Sequence, residues 1–178
     1  MNNYKSFETD RLFIKPTIES DADFIFELMN TPKWIKNIGQ RNINSIEDAK
    51  NYINNKILPQ LEKLGYSNYT VSLKIDNTKI GTCGLYNREG IDGVDIGFAF
   101  LPQHEKMGYA FESSNKIMQI ALPEFGIKKI SAITIKENLN SQKLIEKLGL
   151  SFIKMIKLPN DSEDLMLYSL EYLLKKSN

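Results

Sequence analysis

The chain has 178 residues, which suits one domain with a sizeable core, since domains commonly run to roughly 100–200 residues. A hydrophobic content of 42% and a charged content of 25% are ordinary for a soluble globular protein, and a formal net charge of +1 gives no case for a nucleic-acid partner. Cys83 is the only cysteine and His104 the only histidine, which excludes a disulfide framework and a cysteine-based metal cluster.

The opening MNNYKSFETD lacks the apolar core of a secretory signal, and no apolar run approaches the roughly 20 residues that a bilayer crossing needs. The expectation is a cytoplasmic protein with no membrane partner. No repeat or Pro/Gly-rich boundary interrupts the chain, so residues 1–178 read as a single domain.

In chain order, RLFIKP (Arg11–Pro16) reads as a short strand, and Ser20-x-x-Asp23 as a capping box opening a helix that runs to about Met29. Residues 31–44 read as a loop carrying Trp34, Ile35 and Ile38. Ser45-x-x-Asp48 caps a second helix with an apolar stripe from Ala49 to Leu61, in which Pro59 predicts a kink. The period then changes to that of strands: Tyr69–Ile75, Lys79–Arg88 after the Asp76-Asn77 turn, and Val94–Leu101 after Asp92-Gly93. A helix follows from about Tyr109 to Phe125, then a strand at Lys129–Ile135, a helix at Asn138–Leu148 and strands at Ser151–Ile156 and Leu165–Leu170. The order βααβββαβαββ is an α+β fold with a mostly antiparallel sheet, in which the strand–helix–strand unit around residue 108 makes one parallel, right-handed crossover.

The joint LPQHEKMGYAFESS (Leu101–Ser114) is where chemistry can enter. A helix N-terminus offers backbone N–H groups without internal partners, and a glycine lets an anion approach them closely. Gly108 sits at that joint, with Lys106 beside it. Taken alone the glycine reads more readily as turn geometry than as an anion site. The joint is neither a Walker A motif nor a dinucleotide fingerprint.

Several motifs stand in order here: IGFAFLP, EKMGYAFES and KISAITIKENLNSQKLIEKLGL. Together they resemble the core of the GNAT superfamily of acetyl-CoA-dependent N-acetyltransferases. ETDRLFIKP and the Asn-x-x-Ser at Asn138–Ser141 resemble the branch that includes the RimJ/RimL ribosomal-protein N-terminal acetyltransferases. The resemblance spans about Glu8 to Leu170 and is densest between Ile80 and Leu150. It implies a central sheet splayed between the Val94–Leu101 and Lys129–Ile135 strands, the fourth and fifth of the family's count.

The resemblance also implies roles. The backbone of Lys106, Met107, Gly108, Tyr109 and Ala110 would bind the pyrophosphate of acetyl-CoA, the cosubstrate. Two positions depart from the family: Glu105 replaces Gln or Arg, and Lys106 stands where glycine is common. Lys106 is expected to offset the negative charge of Glu105. Pantetheine would lie along Phe100 and Leu101 as an added strand does, and the Phe98 N–H would polarise the thioester carbonyl. Asn138 would contact the cofactor, or act as an N-cap, or both.

An amine must lose a proton before it attacks a thioester, which calls for a nearby base. Strand alternation sets Asp95, Gly97 and Ala99 on one face and bulky Ile96, Phe98 and Phe100 on the other. Asp95 is therefore the candidate base, its alternative being a solvated turn residue, and Glu89 is the second candidate. The tyrosine that many family members use as acid is here Ile145, and the resemblance to the RimL-like branch implies Ser141 for that role, the alternative being a residue that serves only the helix start. Trp34 and the acidic loop Asn160–Glu163 would wall the acceptor pocket. The function implied is acetyl transfer to a primary amine, either a protein N-terminus or a small molecule, by a monomer or homodimer without a metal. A non-catalytic acyl-CoA-binding module of the same fold is the alternative.

Overall fold

The computed structural model describes residues 4–159 and 162–172. Its strands are β1 (Phe7–Glu8), β2 (Leu12–Pro16), β3 (Asn68–Leu73), β4 (Lys79–Tyr86), β5 (Val94–Phe100), β6 (Lys129–Ile135), β7 (Ser151–Ile156) and β8 (Leu165–Glu171). The helices are α1 (Ala22–Met29), α2 (Pro32–Asn37), α3 (Ile46–Tyr52), α4 (Leu58–Leu64), α5 (Tyr109–Phe125) and α6 (Leu139–Lys147).

The strands form one eight-stranded sheet in the order β1-β2-β3-β4-β5-β6-β8-β7. Neighbours are antiparallel except β5 and β6, which are parallel and joined through α5. Alternation along the strands feeds two apolar clusters. Ile96 and Phe100 of β5 join Ile117 and Ala121 of α5 and Ile145 of α6 in the larger one. Phe24, Ile25 and Leu28 of α1 join Ala49 and Ile53 in the smaller one, against which Trp34, Tyr52 and Ala99 pack. Helices therefore cover both faces of the sheet.

Helix α5 and strand β6 occupy the ranges expected from the sequence. Other elements differ, each for a local reason. The first helix opens not on a Ser20–Asp23 box but after a 3₁₀ turn, where the Asp21 carboxylate accepts the Ile18 N–H at 3.0 Å. Part of the expected 31–44 loop is α2, capped by Thr31 with Pro32 in its first turn, a position where proline's missing N–H costs nothing. The Ser45 cap is present, its hydroxyl accepting the Asp48 N–H at 3.1 Å. The helix it opens is broken by a π turn over Ile53–Ile57, which shifts the hydrogen-bond ladder just before Pro59.

Candidate active site

Strands β5 and β6 pair only at Val94–Ile130 and Asp95–Ser131 and then part. The Leu101 N–H donates to Ile80 O at 2.9 Å, on the β4 side. Backbone groups alternate in direction along a strand, so Ala99 and Gly97 also face β4, while Phe98 and Phe100 face the gap. Leu101 does not join Phe100 there as expected, because its amide is spent on β4. The gap thus presents the N–H and C=O groups of Phe98 and Phe100 as an open strand edge.

The loop that follows β5 has an unusual backbone. Lys106 and Gly108 both adopt left-handed conformations, with φ of 61° and 83°. That explains why glycine is common at the Lys106 position: an L side chain there costs about 1–2 kcal/mol. Gly108 caps α5, so the N–H groups of Tyr109, Ala110 and Phe111 have no intrahelical acceptor. Successive amides in such turns make an anion-binding concavity.

Arg11, just ahead of β2, holds this loop. Its Nη1 donates to the Met107 carbonyl at 3.1 Å, its Nε donates to Glu112 Oε2 at 2.7 Å, and its guanidinium carbon lies 4.5 Å from the centre of the Tyr109 ring. Glu105 is ion-paired with Lys33 of α2 rather than offset by Lys106. Arg11 and Lys33 thus offset the charges of Glu112 and Glu105 beside the loop, which a reading of the loop alone leaves unpaired.

Asp95 is not a solvated turn residue. It is 2% exposed, and its Oδ2 accepts a hydrogen bond from Arg88 Nε at 2.9 Å. Its Oδ1 is buried, and the backbone N–H of Ile133 in β6 favours the charged form of the carboxylate. Burial pushes the Asp95 carboxyl up to about 6, and the Arg88 charge restrains the rise. Glu89 lies exposed in the loop after β4. Asn160 and Asp161 of the expected pocket wall fall outside the described residues.

Asn138 is an N-cap, its Oδ1 accepting the Ser141 N–H at 3.2 Å. Ser141 is half-buried. Ile145 is buried in the larger cluster, so its side chain serves packing. Trp34 is half-buried against the smaller cluster, and its indole N–H is buried without a partner. Cys83 is buried, and desolvation pushes its thiol up to about 12, which suits an inert core residue. Among the described residues, no group of three or more His, Cys, Asp or Glu forms a metal site, and no helix is long and apolar enough to cross a membrane.

The acetyltransferase (GNAT) domain family matches residues 11–151. The chain belongs to the GNAT acetyltransferase family. A curated relative, the uncharacterized N-acetyltransferase YoaA of Bacillus subtilis (strain 168), is 27% identical over 143 residues, covering 80% of each chain. The fold matches an acetyltransferase of the GNAT family from Bacillus anthracis with a TM-score of 0.76 at 23% identity, covering 94% of this chain and 98% of that one. It also matches RimL, a ribosomal alpha-N-protein acetyltransferase, in complex with coenzyme A, with a TM-score of 0.80 at 16% identity and coverage of 94% and 98%.

Membership of this GNAT family makes the chain an acetyltransferase and implies acyl-CoA binding. The residues fit such a ligand on two counts: the open edge at Phe98 and Phe100, and the left-handed loop at Lys106–Gly108. Arg11, Arg88 and Lys33 escaped the sequence reading. Arg11 stands 96 residues from Met107, a separation at which no local spacing rule applies.

Proposed function

We propose that this GNAT enzyme transfers acetyl from acetyl-CoA directly to a primary amine in a ternary complex, as one transferase domain spanning residues 1–178. The observation that carries the reading is the parting of β5 and β6 immediately after Asp95, which sets an open strand edge beside a buried carboxylate. The backbone of Met107 to Ala110 would take the pyrophosphate, with Lys106 nearby. Phe100 would hold the pantetheine arm, and Asn138 would contact the cosubstrate beyond its capping bond.

Bound there, acetyl-CoA supplies an activated acetyl group, whose C–S bond breaks as the bond from carbon to the amine nitrogen forms. Asp95 takes the proton that the ammonium must lose; the free values are about 8 for an α-amine and about 10.4 for lysine. The Phe98 N–H donates to the carbonyl oxygen as charge develops on it. The Ser141 hydroxyl gives a proton to the departing sulfur and regains one from the nitrogen newly bonded to carbon, which sheds its second proton there. Trp34 walls the acceptor side, and Glu89, exposed at the rim, is the second carboxylate on that route.

The likeness to RimL favours the RimJ/RimL-like branch, whose acceptors are protein N-termini. A cytoplasmic enzyme, monomeric or homodimeric, fits that role. The test is an acceptor screen with acetyl-CoA, using Ser- and Ala-initiated peptides, spermidine and free amino acids, read by thiol release and by the mass of the acceptor. Acetylation of a peptide N-terminus supports the reading. CoA binding without thiol release on any acceptor would instead make the chain a binding module.

A further inference from the structure

A line of polar side chains crosses the sheet on the face that carries Asp95. Tyr69 and Val71 enter the larger cluster, so Asn68 and Thr70 point to the opposite face. There, Lys79 Nζ lies 2.6 Å from Asp21 Oδ1, and the Thr70 hydroxyl donates to Asp21 Oδ2 at 3.0 Å. Thr17 and Thr70 hydroxyls are 2.9 Å apart, and Asn68 Nδ2 donates to Thr17 Oγ1 at 2.9 Å. The Tyr86 hydroxyl completes the line by donating to Asn68 Oδ1. Either threonine hydroxyl could donate to the other in isolation, but the charged end of the line decides the sense of every bond.

The Asp21 carboxylate, paired with Lys79, can only accept. Thr70 has one hydroxyl proton and spends it on Asp21, so Thr17 must donate to Thr70. Thr17 then accepts from Asn68, which turns the amide oxygen of Asn68 toward Tyr86. Tyr86 therefore spends its only proton on Asn68, and its remaining lone pairs can only accept. Bonds aligned in one sense polarise one another, so the terminal oxygen is a better acceptor than an isolated phenol. Burial holds the Tyr86 phenol well above its usual range, so the proton stays in place.

That oxygen lies on the Asp95 face of the sheet, beside Gly84. Tyr86 is the cross-strand partner of Asp95, and such partners share a face. A Cβ at Gly97 would stand 3.0 Å from Tyr86 Cε2, and one at Gly84 would stand 2.7 Å from the hydroxyl oxygen. The two glycines make room for the phenol to lie across β4 and β5.

We propose that the Tyr86 hydroxyl is a fixed hydrogen-bond acceptor for the N–H of the amine substrate, held in that sense by the chain of side chains that ends on Asp21. This rests on the acetyl-transfer reading for the identity of the amine, but its own test reads binding. The whole chain is labelled with ¹³C in its tyrosine rings, and the Tyr86 signal is assigned by its loss in Tyr86→Phe. The protein, with and without CoA, is titrated with n-propylamine and with a Ser-initiated tripeptide.

The Tyr86 signal is expected to shift saturably with both amines, and Tyr86→Phe to weaken amine binding roughly 10-fold with CoA affinity unchanged. Thr70→Val, which frees the chain to reverse, weakens amine binding too, and Thr70→Ser restores it. A Tyr86 signal that does not move, or Tyr86→Phe and Thr70→Val variants that bind amines as the wild type does, overturns the proposal. A shifted Tyr86 signal without turnover on any amine supports the proposal and removes the transfer reading instead.

Discussion

Arg88 Nε donates to Asp95 Oδ2 at 2.9 Å, tying the loop after β4 to the strand whose splay opens the site. The pair sets where the base titrates. Burial raises the Asp95 carboxyl to about 6 and Arg88 lowers it from a still higher value. The acid limb of kcat/KM should therefore rise through about pH 6. Arg88→Gln removes the restraining charge, so that limb should move to higher pH. A pH–rate profile of acetyl transfer checks both, and an unmoved limb in Arg88→Gln would separate Asp95 from the titration.

Asp95→Asn should slow turnover and stabilise the fold at pH 7. The folded carboxyl titrates at about 6, above the unfolded value of about 3.9. A carboxyl raised in this way contributes stability that is fully present below the unfolded value and lost as pH rises through the folded one. The loss is about 3 kcal/mol by pH 7, and asparagine does not suffer it. Thermal unfolding should show the variant above the wild type at pH 7, with the gap closing toward pH 4.

The two left-handed residues of the loop predict opposite tolerances. Gly108→Ala forces a Cβ onto a residue with φ of 83° and should cost about 1–2 kcal/mol, with weaker CoA binding. Lys106→Gly relieves the same strain at φ of 61°, while the freer unfolded chain offsets about 0.4–1 kcal/mol of the gain. It should therefore leave the melting temperature near that of the wild type. Calorimetric Kd values and melting curves for the two variants make the comparison.

Arg11→Ala removes the donor to the Met107 carbonyl and the cation against the Tyr109 ring. A charge-assisted hydrogen bond contributes about 1.5–3 kcal/mol, so CoA affinity should fall roughly 10-fold or more. The acceptor KM should move little, because Arg11 acts at the loop. Equal losses in both constants would show a general loss of structure.

The frame of this site was legible in the sequence where periodicity changes sharply. The run from Val94 through the joint to Ile135 switches from strand to helix and back, and its elements fall where expected. What stayed hidden depends on contacts distant in sequence. Asp95 was legible as a candidate base from strand alternation, but its burial and its bond to Arg88 were not. β1 spans two residues, too short for any period to register. α2 carried a readable signal, Thr31 before Pro32, but its six residues lack an apolar stripe. The sense of the bonds from Tyr86 to Asp21 follows from side chains on several elements and has no sequence signature.

The central claim is acetyl transfer from acetyl-CoA to an amine, with Asp95 as base. The most direct measurement is thiol release with acetyl-CoA and a Ser-initiated peptide, compared between wild type and Asp95→Asn across about pH 5 to 9, a span that brackets the folded carboxyl. The account predicts an N-acetylated peptide, a wild-type limb near pH 6 and a slowed variant without that limb. CoA release that is equal in the two proteins and carries the same limb would contradict it.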